Sequence, residues 1–180
     1  MDHAKNVLVH AIKNLKVNNE HQVYIGLGSN LDKPIEQVTT AIDALAKLKA
    51  FKLIKTSSLY RSLPMGPQDQ PDYINAVVLI STGLEPQVLL SELQQLEKKH
   101  GRVRKGEQWG PRTLDLDILL YDDLILNKPD LVIPHPGLHQ RAFVLYPLSD
   151  ITPELDIPGR GKLSELLQNI PATGLERISA

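Results

Sequence analysis

Between Leu114 and Ile118 apolar and acidic residues alternate, Leu-Asp-Leu-Asp-Ile, which is the period of a half-buried β-strand. Such a strand needs a sheet partner beside it and a core against one face. Leu114, Leu116 and Ile118 form the core-facing set, and Asp115 and Asp117 share the other face. Two residues along a strand span ~7 Å, so both carboxylates can converge on one cation cluster. Hard cations with oxygen ligands, Mg²⁺ above all, suit that pair when a phosphate supplies further oxygens. Arg112 sits just upstream, and five more Lys or Arg residues lie between Lys98 and Lys105. Each sign of a metal–polyphosphate thus has a partner in one short region. The wet face of an antiparallel sheet shows the same alternation. Arg112, the basic loop and Trp109 are what turn the balance toward a site.

The rest of the chain sets limits on this strand's surroundings. Its 180 residues, 42% of them hydrophobic, suffice for one core, so residues 21–180 are expected to form a single domain. A formal net charge of −1 gives no pointer to nucleic acid or an anionic membrane. With no cysteine, disulfides, Cys-ligated zinc and thiol catalysis are excluded. No apolar run has the length to span a bilayer. Residues 1–20 lack the apolar core of a signal peptide and read as an N-terminal extension of unknown role. The expectation is a cytoplasmic, monomeric protein working on small molecules.

Periodicity orders the elements. Gln22–Gly28 reads as a strand ending in a Gly28-Ser29-Asn30 turn. Pro34 to Leu48 reads as an amphipathic helix with Ile35, Val38, Ile42 and Leu45 at helical spacing. Phe51 to Tyr60 and Asp72 to Thr82 read as strands, separated by a Pro-rich loop that cannot be regular structure. Pro86 to His100 is a second helix, and the Asp-bearing strand runs to Tyr121. The order strand, helix, strand, strand, helix, strand predicts an α+β fold: a ferredoxin-like βαββαβ core with helices packed on one face of an antiparallel sheet. The Pro- and Gly-rich remainder is expected to wrap the core as a C-terminal extension, with a short helix near Leu163–Ile170.

Other residues carry chemistry less sharply. Tyr73 and Asn75 are two apart on a strand and share a face, where Tyr can stack on a flat heterocycle and the amide can meet its edge. Taken alone, a core-rim Tyr and a ladder-ending Asn explain them more simply. Phe143 is a possible second side of such a sandwich, although nothing in the sequence brings it there. The Gly-bracketed loop from Gly101 to Gly106 suits either a phosphate clamp or a solvated charge run. Gly26-Leu27-Gly28-Ser29-Asn30 matches no phosphate-binding fingerprint and reads mainly as a turn. His135, stiffened between Pro134 and Pro136, can donate to a phosphate, although a lone His is more simply read as structural.

The run from Arg104 to Asp117 resembles the signature of the 6-hydroxymethyl-7,8-dihydropterin pyrophosphokinase family. Gly28-Ser29-Asn30, Gly66–Tyr73 and Val132–Pro136 resemble three further family blocks in the same order. The resemblance implies a ferredoxin-like enzyme of folate biosynthesis that moves the diphosphoryl group of ATP to the pterin hydroxymethyl, releasing AMP. It implies Asp115 and Asp117 as ligands of two Mg²⁺ ions, and Arg102 and Arg112 as cations acting on the phosphates, assisted by Arg104, Lys105, His135 and Arg141. Tyr73 and Phe143 are then the pterin sandwich, Asn75 reads its edge, and Ser62, Leu63 and Met65 line the pocket. Gln94, Glu97 and Ile118 match nucleotide-site positions, and Trp109 a loop residue closing over the site. Leu63, Asp130 and Pro136 depart from the commoner family pattern.

Two other classes compete. Paired aspartates also serve Mg-dependent nucleotidyl- or glycosyltransferases. A non-enzymatic RNA-binding domain is the other alternative, because sheets of this kind can present aromatics to bases.

Overall fold

Strand β1 (His21–Ser29) organises the sheet, because both of its edges are paired. On one side it runs antiparallel to β4 (Tyr73–Thr82), on the other antiparallel to β5 (Asp115–Tyr121). The protein is described from a computed structural model covering residues 20–102 and 110–178. Residues 1–19 of the N-terminal extension, Arg104, Lys105 and Trp109 lie outside the described residues.

Two helices cover the face of the sheet that carries Val23, Ile25, Leu27, Leu116 and Ile118. Helix α1 (Pro34–Lys47) opens on Pro34, with Glu36 in its first turn and Lys47 in its last, each charge on the end of the helix dipole that favours it. Helix α2 (Pro86–Lys99) repeats the arrangement with Pro86 at its start and Lys98 and Lys99 at its end. Val38, Ala41 and Leu45 of α1, and Leu89, Leu93 and Leu96 of α2, bury against the strands. Each large apolar side chain removed from water this way contributes ~1.5–3 kcal/mol.

The segment expected as one strand, 51–60, is two: β2 (Phe51–Thr56) and β3 (Leu59–Ser62). At the break Ser57 replaces the ladder with its side chain. Its amide donates to the Val77 carbonyl at 2.9 Å, and its Oγ accepts the Val77 amide at 2.9 Å. β2 then pairs with the far half of β4 and β3 with its first residues.

Helices are not confined to one face. Helix α3 (Ala142–Ile151) lays Val144, Leu145, Leu148 and Ile151 on Tyr24, Val77, Leu79 and Leu119 of the opposite face. The short helix α4 (Leu163–Asn169) extends this second layer. Two small pairs, β6 (Leu126–Lys128) with β7 (Leu131–Ile133) and β8 (Asp156–Ile157) with β9 (Gly161–Lys162), fill the intervening chain. Strand β10 (Leu175–Ile178) returns to the main sheet beside β3, giving the order β10-β3-β4-β1-β5 with β2 also on β4. The described architecture is therefore a mixed α/β fold with an antiparallel sheet between two helical layers. A sheet covered on both faces is no open platform for single-stranded RNA. Among the described residues, no helix is long and apolar enough to cross a membrane.

Candidate active site

The register of the three central strands lays out the site. Gly28 stands between Asn75 on β4 and Asp115 on β5; Gly26 stands between Val77 and Asp117. Above these two rows lies a cavity, with Arg112, Arg141, Phe143 and Val144 among its other walls and Ser62, Leu63, Met65 and Tyr73 toward β3. Its mix of apolar walls with a few polar groups suits a small-molecule site. The two rows run from an aromatic and amide end to an acidic end across a single strand.

The acidic end is a balanced charge network. Arg102 donates to both Glu97 and Asp115, and Arg112 donates to the other oxygen of Asp115. Burial works against the charged Arg112, but Asp115, with Tyr73 and Asp117, raises its pKa on balance. Glu97 is 2% exposed and also accepts the Leu116 amide at 2.9 Å. Asp117 is held up to about 7, first by desolvation and then by the charges of Asp115 and Glu97, while Arg102 and Arg141 oppose the rise. Its side chain nevertheless remains 45% exposed.

His135 stands 3.9 Å from Asp117 through Nε2. The Gly137 amide donates to its Nδ1 at 3.1 Å, so in the neutral ring the proton sits on Nε2. Desolvation, helped by the nearby Arg141 charge, lowers its pKa to about 4 and keeps it neutral at pH 7. Arg141 lies 5.9 Å from the Phe143 ring centroid, within the range of a cation–π contact. Its own pKa is lowered by burial, against the pull of Asp117 and Asp115.

At the other end, Asn75 is 5% exposed. Its Nδ2 donates to the Ser62 Oγ at 2.9 Å and to the Tyr60 carbonyl at 3.4 Å. The carbonyl can only accept, which fixes the amide and directs Oδ1 toward Gly28. The Tyr73 hydroxyl donates to the Gly110 carbonyl at 3.0 Å, and burial raises its pKa. Leu63 and Met65, 58% and 55% exposed, form an apolar rim.

Asn30 links the two ends. Almost fully buried, it donates through Nδ2 to Gln70 Oε1 at 3.0 Å and the Pro71 carbonyl at 3.1 Å, and accepts the Arg112 amide at 2.8 Å. Its own amide donates to the Arg112 carbonyl at 3.1 Å.

The cavity thus gathers Ser62, Leu63, Met65, Tyr73, Asn75, Arg112, Asp115, Asp117, Arg141 and Phe143. It does not gather every residue the sequence suggested. Arg102 reaches it through Asp115, and His135 stands near Asp117 without being part of its lining. Ile118 is 3% exposed in the helix-side core, on the face opposite Asp117. Glu97 is a buried partner of Arg102 and Leu116, and Gln94 is half-buried on the same helix; neither lines the cavity. Asp130, a departure from the family pattern, accepts from Gln87 on α2. Sequence reasoning missed Gly26, Gly28 and Asn30 as site residues. Gly26 and Gly28 belong to β1, which runs to Ser29, and they pave the cavity floor. Their spacing of two on an apolar strand was the available signal.

Comparison with known proteins agrees with this geometry. The family model described as 7,8-dihydro-6-hydroxymethylpterin-pyrophosphokinase (HPPK) matches residues 24–153. The 2-amino-4-hydroxy-6-hydroxymethyldihydropteridine pyrophosphokinase of Pseudomonas aeruginosa is 48% identical over 157 residues, covering 87% of this chain and 96% of its own. The protein of the same name from Haemophilus influenzae is 50% identical over 145 residues, covering 81% and 90%. Among solved structures, wild-type Plasmodium falciparum HPPK-DHPS with SDX-DHP aligns over 89% of this chain with a TM-score of 0.64 and 16% identity. This chain spans 47% of that longer one, and the likeness concerns the fold.

Proposed function

Because this chain belongs to the 7,8-dihydro-6-hydroxymethylpterin-pyrophosphokinase family, we propose that its cavity takes the pterin at the Asn75 end and ATP at the aspartate end. The diphosphoryl group passes from ATP to the pterin hydroxymethyl, and AMP leaves. The observation that carries this reading is the register row Asn75–Gly28–Asp115, which sets a ring-reading amide and a phosphate-side carboxylate one strand apart on each side of Gly28.

In this reading Asp115 and Asp117 would hold two Mg²⁺ ions. The donor set fits a metal that arrives with phosphate. Both ligands are hard carboxylates on one face, and no cluster of three or more His, Cys, Asp or Glu side chains among the described residues makes a protein-only cage. Bound there, Mg²⁺ would supply charge neutralisation to the phosphates and the leaving group. The protein supplies position and further charge, which is most of what phosphoryl-type transfer asks of it. Arg102 and Arg112 turn from Asp115 to phosphate oxygens, and Arg141 stands beside Phe143 where ring and phosphates meet. His135 offers its Nε2–H as a neutral donor. Tyr73 and Phe143 stack on the pterin, Asn75 reads its edge, and Ser62, Leu63 and Met65 shape the pocket and keep water out. Glu97 serves the nucleotide only through Arg102, Gln94 and Ile118 stay outside the cavity, and Arg104, Lys105 and Trp109 are assigned to the loop over it. The same reading takes the core as ferredoxin-like within one domain over residues 21–180. The central place of β1 and the two helical crossovers support it.

The test is to mix the protein with MgATP and 6-hydroxymethyl-7,8-dihydropterin and to resolve the nucleotides. Pterin-dependent AMP, matched by a diphosphorylated pterin, is expected. ADP in its place, or no pterin-dependent product, overturns the reading.

A further inference from the structure

Two glycines floor the cavity, and they are glycines for different reasons. A Cβ on Gly26 would meet the Leu119 side chain at 3.3–3.4 Å, and Leu119 is 2% exposed in the core under α3. Gly26 therefore makes room for protein. A Cβ on Gly28 would meet only Asn75 Oδ1, at an ordinary contact distance of 3.6 Å. It would otherwise project into the cavity that Gly28 lines. Neither residue is among those with a positive φ, so backbone conformation does not require a glycine there. A glycine inside a strand weakens it through chain entropy and lost side-chain packing. Such a residue marks a close approach of something to the backbone, and no protein atom makes that approach at Gly28.

Its position says what does. Gly28 is the residue directly between Asn75 and Asp115 in the sheet, with adjacent strands ~4.8 Å apart. A substrate whose ring is read by Asn75 and whose reacting arm meets phosphates held near Asp115 has to cross Gly28. We propose that Gly28 is a specificity-determining position: its bare Cα is the crossing point for the hydroxymethyl arm, and any side chain there excludes the hydroxymethylated pterin. The inference rests on the proposed pterin reaction and adds to it the residue that admits the arm. It separates the two ends of the site, since a methyl at Gly28 blocks the pterin's approach to the phosphates and leaves the nucleotide's charged partners in place.

The experiment compares wild type with Gly28→Ala and Gly28→Val. It reads thermal denaturation, binding of a non-hydrolysable MgATP analogue, and kcat and KM for 6-hydroxymethyl-7,8-dihydropterin. Gly28→Ala should melt at or ~1–4 °C above wild type, because the unfolded chain loses freedom and no clash is introduced. Its analogue affinity should match wild type, while kcat/KM for the pterin falls ~100-fold, as a misplaced reacting arm predicts. Gly28→Val should lose more. Activity that falls only together with Tm would make Gly28 a packing residue and overturn the proposal. A Gly28→Ala enzyme within about threefold of an active wild type would also overturn it, leaving the reaction standing. A wild type without pterin-dependent AMP removes the reaction itself, and this inference with it.

Discussion

The Leu116 amide donates a 2.9 Å hydrogen bond to Glu97 Oε1, and Leu116 is the residue between Asp115 and Asp117. A buried carboxylate on α2 therefore sets the backbone from which both aspartates project. The same oxygen receives Arg102, so one side chain fixes the strand and a cation of the site.

Glu97→Ala should destabilise the protein by about 2–4 kcal/mol, because a buried amide and a largely buried guanidinium lose a partner together. Glu97→Gln keeps an acceptor for Leu116 and should cost about half as much. Urea denaturation of both variants checks the ranking. Equal losses would mean that the Leu116 bond contributes little.

Asp117 has opposite effects on stability and on chemistry. Its folded pKa of about 7 lies above the ordinary 3.8, so the native state holds its proton more tightly across that window. The cost of ionising it appears as pH rises and is complete above pH 7. Asp117→Asn should then be the more stable protein at pH 8 and match wild type near pH 4. With the side chain 45% exposed, screening reduces the gain to about 1 kcal/mol. Turnover should be abolished. Thermal melts in metal-free buffer across pH 4–8 decide it.

His135 works the other way. Its pKa falls to about 4 from 6.5, so the unfolded chain binds the proton first as the solution is acidified. The stability associated with its neutral form is present above pH 6.5 and lost as pH falls toward 4. The loss should be about 2 kcal/mol, and a His135→Gln variant should lack it. Parallel slopes for the two proteins between pH 6.5 and 4 would remove His135 as the source.

Tyr73 separates ring from hydroxyl. The hydroxyl donates to the Gly110 carbonyl. Tyr73→Phe should leave pterin affinity nearly unchanged, while Tyr73→Ala should lower it by ~1–3 kcal/mol, by analogy with base–aromatic stacking. Direct titration with the pterin distinguishes them. Equal affinities in all three proteins would place the ring outside the binding site.

Much of this was legible where local pattern and local structure coincide. Pro34 and Pro86 open their helices, and the alternation at 114–118 buries Leu114, Leu116 and Ile118 to 3% exposure or less. The pattern gave out where a side chain or a distant segment decides. Nothing in an apolar run announces that Ser57 will take over the ladder bonds of Val77 and split one strand into two. Helix α3 was hidden by Pro147, an interior breaker by rule, tolerated here in a segment that buries Val144, Leu145 and Leu148. Its presence also brings Phe143 and Arg141 to the cavity, a long-range arrangement that sequence spacing does not encode. The glycines of β1 read as a turn because turn chemistry and ligand clearance use the same residue.

Asn30 has a mechanical consequence. One buried amide holds both the Gln70–Pro71 segment that leads into Tyr73 and the backbone of Arg112. The two ends of the cavity therefore hang from a single anchor, and a displacement of either segment loads the other.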